Sequence, residues 1–440
     1  TIPMSPAGSL PPHAGIGIKM VSRQCKLKPY NPLEIENLAI TGEFILYASP
    51  DSTYARTRHL LDNAKTSILI GIYDFTADYM RDILTSALDR GVAVSIMVDL
   101  DKRKGEQGLW EQMIRGGIRG IPAPSCASKE SRYFSSCHEK VIVIDNEWTL
   151  IQSGNYTDNS IPKNEIDGCD PADPKSYVPG NRDMGIAIRS AELAGFFTGI
   201  LESDIRLQLD GMQKEAPGPG MKGVPLSLES AKPPKMPPHL CRSKELRPDD
   251  TIAIVPVLSP DNYMKVIPGF LASATRSVFI EQQYIRSAQP EIKKLLGSIR
   301  SAREGNPDLD VRIVLALPYA AEDKTEIASI QGLGDFGFEM GKHVRFLNPK
   351  YFVHCHNKLI VVDENAVLIS SQNWSDSAVI KNREAGVLLH CPEIAGYYAS
   401  IFKGDWDTGL MELPKKKALV AGAGREPGMI GVDISDYLEV

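Results

Sequence analysis

Two stretches of the chain carry the same five polar side chains at the same spacing. "HEKVIVIDNEWTLIQSGN" starts at His138 and "HNKLIVVDENAVLISSQN" at His356, so His138, Lys140, Asp145, Ser153 and Asn155 match His356, Lys358, Asp363, Ser371 and Asn373. In a strand, residues i and i+2 share a face, which sets each imidazole beside an ammonium while Glu139 or Asn357 points away. The runs "VIVID" and "LIVVD" then meet a turn at Asn146-Glu147 or Glu364-Asn365 and return through "WTLIQSGN" or "AVLISSQN". Such a hairpin brings Ser and Asn back beside the pair.

Breaking a phosphodiester needs a nucleophile, an acid for the leaving oxygen and positive donors around the non-bridging oxygens. Two copies of His, Lys and Asn supply all three. One histidine attacking phosphorus would form a phosphohistidine, and the other would act first as acid and then as base toward water. The lysines provide the charge, so neither a metal nor a cofactor is expected. "HCH" at His354, Cys355 and His356 offers a weaker metal reading, because neighbours in a strand alternate faces and no carboxylate or second cysteine completes a ligand set.

The elements that hold these motifs are themselves duplicated. "SPDSTYARTRHLLDNAKTSILIGIY" from Ser49 aligns without gaps to "SPDNYMKVIPGFLASATRSVFIEQQ" from Ser259, an offset of 259 − 49 = 210. Each copy reads as an apolar strand (44–47; 254–257), a helix from near Ser-Pro-Asp, and a buried strand (67–73; 277–283). A second helix follows, amphipathic through Met80, Ile83, Leu84 and Ala87 or Ile292, Leu295, Leu296 and Ile299, with Gly91 where a C-terminal cap belongs. Strands "VAVSIMVDL" and "VRIVLALP" come next, so an α/β arrangement with a largely parallel sheet is predicted for each of two lobes. The plan is an N-terminal extension (1–40), a first lobe (41–212), a Pro-rich linker (213–250), a second lobe (251–412) and a tail (413–440). The tail's Lys415–Lys417 and "AGAG" are weak evidence for a nucleotide site.

Composition narrows the class. The chain has 440 residues, 42% hydrophobic and 24% charged, which is ordinary for a globular protein and allows an enzyme-sized core. Its apolar runs are strand length, short of the roughly 18–20 residues that cross a bilayer. A net charge of −6 gives no overall pull toward nucleic acid. Seven cysteines include no CxxC pair, and pairings such as Cys126–Cys137 or Cys25–Cys241 stay open. The chain opens at Thr1 without a signal peptide, which fits a processed or a trimmed chain; the compartment is open, a secreted or extracytoplasmic one being slightly favoured.

The two motifs resemble the His-x-Lys-x4-Asp-x6-(Gly/Ser)-Ser-x-Asn signature of the phospholipase D superfamily, twice in one chain, with the resemblance covering roughly 40–205 and 250–410. It implies two pseudo-twofold-related α/β lobes with one active site at their interface and a phosphohistidine formed without metal. By the same carry-over His138 is the nucleophile and His356 the acid/base. Lys140, Lys358, Asn155 and Asn373 then bind phosphoryl oxygens, Ser153 and Ser371 support the loop or bind phosphate, and Asp145 and Asp363 are structural. "NRDMGIAI" and "NREAGVLL" place Asp183 and Glu384 where the family sets an acid against a histidine ring, fixing its tautomer.

Two departures stand out. Gln152 occupies a position where the signature prefers Gly or Ser, and the first repeat carries about 17 extra residues, near "SIPKNEIDGCDPADPKSYVPG", expected to shape substrate access. For substrate, "VFIEQQYI" resembles a strand of phospholipase-type members, so a phospholipid headgroup at a membrane or micelle surface is favoured, the protein acting as a monomer. Transfer to an alcohol in place of water would use the same intermediate. Cardiolipin synthases share the motifs but commonly carry transmembrane segments, which makes a synthase less favoured. The alternative is an endonuclease, with "LDKRKGEQ" at Leu100–Gln107 tracking phosphates. A non-catalytic binding module would be expected to have lost a His, Lys or Asn, and none is lost. Tyr133, Phe134, Tyr156, Tyr351, Phe352 and Trp374 are candidates to line a pocket or to pack beneath the hairpins.

Overall fold

The computed structural model describes residues 25–100, 104–128, 131–168, 176–212, 234–318 and 324–413. Cys169, the basic core of "LDKRKGEQ", most of the Pro-rich run and the Lys-rich tail fall outside these residues.

The first half runs β1 (Leu38–Ile40), β2 (Glu43–Ser49), α1 (Thr53–Asp62), β3 (Ser67–Ile72), α2 (Asp78–Asp89), β4 (Ala93–Val98), α3 (Lys104–Arg115), β5 (Arg119–Pro122), β6 (Lys140–Ile144), β7 (Trp148–Gln152), β8 (Asp183–Arg189) and α4 (Ala191–Met212). The second runs β9 (Lys244–Leu246), β10 (Ile252–Ser259), α5 (Tyr263–Ala272), β11 (Ser277–Gln282), α6 (Pro290–Gly305), β12 (Asp310–Leu315), α7 (Lys324–Gln331), β13 (Val344–Phe346), β14 (Lys358–Val362), β15 (Ala366–Ser370), α8 (Asp376–Ile380), β16 (Glu384–His390) and α9 (Pro392–Thr408). The residues that α2 and α6 bury include the periodic sets read from the sequence, and Gly91 takes the left-handed conformation (φ +87°) that an L side chain would resist.

Each half builds one eight-stranded sheet, in the orders β5-β4-β3-β6-β7-β8-β2-β9 and β13-β12-β11-β14-β15-β16-β10-β1. The expectation of a largely parallel sheet is corrected: only β3-β4-β5 and β11-β12-β13 run parallel, and all other neighbours are antiparallel. The motif hairpins account for the antiparallel pairs β6-β7 and β14-β15, since strands joined by a tight turn must be antiparallel. That turn is centred on Asp145-Asn146 and Asp363-Glu364, one residue earlier than expected, with φ between 54° and 56° at all four.

The edge strands cross over. β1 pairs with β10 of the second half, and β9, inside the segment expected to be a linker, pairs with β2 of the first. Thr41 and Thr251, 210 residues apart like the repeats, meet hydroxyl to hydroxyl at 3.0 Å, which marks where the pseudo-twofold axis passes. Between the sheets lies a shared core. Val141 and Val143 face it with α4, Leu359 and Val361 with α9, while Ile142, Ile144, Ile360 and Val362 face the outer helices of their own lobes.

Candidate active site

The chain before β6 and the chain before β14 each run alongside the opposite lobe. Arg383 N–H donates to Ser136 O (2.8 Å) and His138 N–H to Arg383 O (2.7 Å); Arg182 N–H donates to His354 O (2.9 Å) and His356 N–H to Arg182 O (3.0 Å). Each motif histidine is thereby seated on an Asn-Arg-acid segment contributed by the other half, and the side chains follow. His138 Nδ1 lies 2.8 Å from Glu384 Oε2, and His356 Nδ1 lies 3.0 Å from Asp183 Oδ1. With Nδ1 engaged by a carboxylate, Nε2 is the nitrogen left to meet a substrate.

The serines are turned to those carboxylates rather than toward an open space. Ser153 Oγ donates to Asp183 at 2.7 Å and Ser371 Oγ to Glu384 at 2.5 Å, and both residues are fully buried. Ser153 and Ser371, expected to support the loop or to bind phosphate, here hold the acids that hold the imidazoles. Asn382 adds a third hydrogen bond to Glu384, at 3.1 Å.

Lys140 and Lys358 lie within the same buried region, each ammonium donating to the carbonyl of its own histidine, two residues back. Asn155 and Asn373 are buried as well, and their Oδ1 atoms have no hydrogen-bond partner. A buried acceptor without a donor is costly. Tyr73, which motif reading passes over, packs its ring edge-to-face on His138 (4.7 Å) and under Lys140 (5.4 Å). Its equivalent is Gln283, so the duplication carries no trace of it.

The motif aspartates stand apart, at the hairpin tips. Asp145 accepts from Lys65, Thr66 and Ser67, and Asp363 from Thr275, Arg276 and Ser277, at 2.6 to 3.1 Å. Among the aromatic candidates, Phe134 and Phe352 stack on the guanidiniums of Arg383 and Arg182 (both 4.3 Å), Tyr156 packs on Phe75, and Trp374 donates to Tyr263. All four are buried packing groups. The described part of the first-half insertion bonds to α1, Pro50 and Ser243 through Asp167 and Asn164. Glu281 of "VFIEQQYI" is fully buried beneath the second motif, where it accepts from Asn357 at 3.3 Å. Cys25 is disulfide-bonded to Cys126, a pairing different from those considered above, and Cys137, Cys241, Cys355 and Cys391 are free.

Burial dominates the electrostatics. It drives His138 well below the usual imidazole range, reinforced by Lys140 and Lys358, and pushes His356 down to about 4. The same desolvation lowers Lys140 to about 7 and Lys358 to about 8, and raises Glu384 to about 8 against the pull of Lys140. Among the described residues no cluster of three His, Cys, Asp or Glu side chains is disposed to hold a metal, and no helix is long and apolar enough to cross a membrane.

A family model described as "Cardiolipin synthase, PLD-like domain" matches residues 57–167 and 268–406, one match in each half. The DISARM protein DrmC of Bacillus paralicheniformis is 30% identical over 115 residues, covering 26% of this chain and 46% of that protein, so the chain matches less than half the length of this curated relative. Among solved structures, the phosphatidylserine synthase of Haemophilus influenzae Rd KW20 is similar over 88% of this chain and 94% of its own, at 14% identity and a TM-score of 0.56. Nuc, a phospholipase D family member from Salmonella typhimurium, is similar over 39% of this chain and 96% of its own, at 23% identity and a TM-score of 0.30.

Proposed function

The chain belongs to the phospholipase D superfamily, its PLD-like domain matched in both halves, and from that premise we propose that it cleaves or transfers phospholipid headgroups through a phosphohistidine on His138. The observation that carries the reading is the crossed pairing of each motif imidazole with an acid of the opposite lobe. It produces two oriented imidazoles in one buried site, one to attack and one to move a proton.

In this reading the site holds its charges weakly, with Lys140 and Lys358 lowered and Glu384 raised. A phosphodiester anion favours the ammonium forms of Lys140 and Lys358, and those cations in turn favour ionised Glu384. His138 then donates Nδ1–H to Glu384 and presents the Nε2 lone pair to phosphorus. His356 enters this step as an imidazolium, its cation favoured by the bound phosphodiester anion and by Asp183 on Nδ1; as the N–P bond forms and the P–O bond to the headgroup breaks, it delivers its Nε2 proton to the departing alkoxide. His356, now neutral, takes a proton from water as that oxygen attacks phosphorus, and the N–P bond breaks. Lys140, Lys358, Asn155 and Asn373 bind the non-bridging oxygens throughout. No step calls on a metal.

An alcohol in place of water gives phosphatidyl transfer, and the description of the matched family as cardiolipin synthase supports that outcome beside hydrolysis. The test is headgroup release from mixed phospholipid vesicles in excess EDTA, with and without added glycerol, beside single-stranded DNA. Release abolished in His138→Ala and His356→Ala is expected. DNA cleavage without headgroup release would replace the lipid reading with a nuclease, and loss of all activity in EDTA would reject the mechanism.

A further inference from the structure

Among the buried positions at which the two halves differ, one lies against the segment that carries His138. β4 and β12 occupy equivalent places, Val98 beside Ile72 and Leu315 beside Gln282, so the next residues, Asp99 and Ala316, correspond. Asp99 is 3% exposed. Its Oδ2 accepts from Cys137 N–H at 2.7 Å and from Ser136 Oγ at 2.9 Å, and its Oδ1 accepts from Ser125 Oγ at 2.8 Å. Alanine at 316 has no oxygen to offer the matching segment His354-Cys355, where Cys355 instead directs its thiol at Gln282 O and Glu281.

Residues 136–138 are therefore held on two edges. Arg383 of the opposite lobe grips the backbone from one side and the Asp99 carboxylate from the other. Before His356 the place of the Asp99 carboxylate is taken by Ala316, and the Cys355 thiol reaches Gln282 O and Glu281 instead. We propose that Asp99 is a positioning residue that pre-orients His138 for attack on phosphorus, and that this asymmetry distinguishes the nucleophilic half of the site from the proton-transferring half. A nucleophile must be held at a near-attack distance before its bond exists, and displacement by about 1 Å costs roughly 100-fold in rate. Once the N–P bond has formed, the covalent link itself fixes the imidazole. Asp99 thus belongs to the first chemical step and not to the second.

The inference rests on His138 as nucleophile but not on a lipid substrate, so the probe is bis(p-nitrophenyl) phosphate. Its good leaving group makes formation of the phosphoryl-enzyme fast and its hydrolysis slow, so that nitrophenolate appears in a burst. Pre-steady-state release and the decay of the quenched phosphoryl-enzyme are compared for the wild type, Asp99→Ala and Asp99→Asn. In Asp99→Ala the burst is expected to slow by roughly 10- to 100-fold while the decay rate stays within about twofold. Asp99→Asn, which keeps an acceptor for Cys137 N–H, is expected to recover part of the burst rate. An unchanged burst, or burst and decay falling together, would overturn the proposal. Because the diester carries no lipid, the result stands whether or not vesicles are cleaved.

Discussion

Burial leaves the two active-site lysines with loosely held protons, and that sets a pH dependence. Lys140 is lowered to about 7 and Lys358 to about 8, chiefly by desolvation, and in the proposed reaction the cationic form is the one that binds phosphate. The charge is therefore present below these values and lost as pH rises through them, so kcat/KM is expected to fall on an alkaline limb beginning near pH 7. Lys140→Arg, whose guanidinium does not deprotonate in this range, should move that limb upward even though it lowers the maximum. An unmoved limb in a pH–rate profile would remove Lys140 from this role. Glu384→Gln should cost roughly 10³- to 10⁴-fold in kcat, by analogy with a carboxylate that fixes an imidazole tautomer, with little change in KM. The histidines, lysines and asparagines were legible in the sequence because each occurs twice in register. The crossing of the acids was not, since His138 and Glu384 are 246 residues apart and nothing local joins them. Tyr73 was invisible for the opposite reason: it has no copy.

At the scale of elements, local patterning carried most of the information. The apolar periodicity of α2 and α6 named their buried faces, because a helix with one stripe has one way to pack. Strand direction was not local, and the parallel reading failed where the motif hairpins impose antiparallel neighbours. Those hairpins depend on their aspartates. Asp363 and Glu364 hold left-handed backbone conformations, and the Asp363 carboxylate anchors the turn to the start of β11. Partial burial raises the Asp363 pKa, but the N–H groups of Ser277, Arg276 and Thr275 outweigh it and hold the carboxyl below its ordinary value. A depressed carboxylate contributes stability above its unfolded value, near 3.9, and loses it as pH falls through the folded value. Asp363→Ala is expected to lower unfolding free energy by about 1–3 kcal/mol at pH 7. The gap should narrow as denaturation is measured at successively more acid pH, and a gap independent of pH would mean that the carboxylate's charge does not matter to the turn.

The whole molecule is fastened by two inter-lobe clusters that the duplication predicts only in part. Arg383 bridges Asp261 of its own half and Asp204 on α4 of the other, and Arg182 likewise bridges Asp51 and Asp405 on α9. A third acid sits near each arginine, but from non-equivalent positions. In the second half it is Glu281, bonded to Asn357; in the first, the place of Glu281 is Gly71, and Glu139, at the place of Asn357, fills the space against it. Each lobe thus buries one glutamate beneath its motif strand, supplied by opposite strands, an exchange that no single motif reveals. Glu139 is 2% exposed and neither of its oxygens has a hydrogen-bond partner. Burial, with Asp204 adding to it, raises its pKa from 4.5 to about 8. The folded protein therefore keeps a proton that the unfolded chain releases near 4.5, so this group makes stability fall as pH rises from about 4.5 to about 8, by up to about 1.4 kcal/mol per pH unit. Glutamine resembles the protonated acid and cannot ionise. Glu139→Gln should match the wild type in urea denaturation below pH 4.5 and exceed it increasingly toward pH 8, where the wild type must either hold its proton or bury an additional carboxylate charge near Asp204. Denaturation curves for the two proteins that stay parallel across this range would show that Glu139 does not hold that proton.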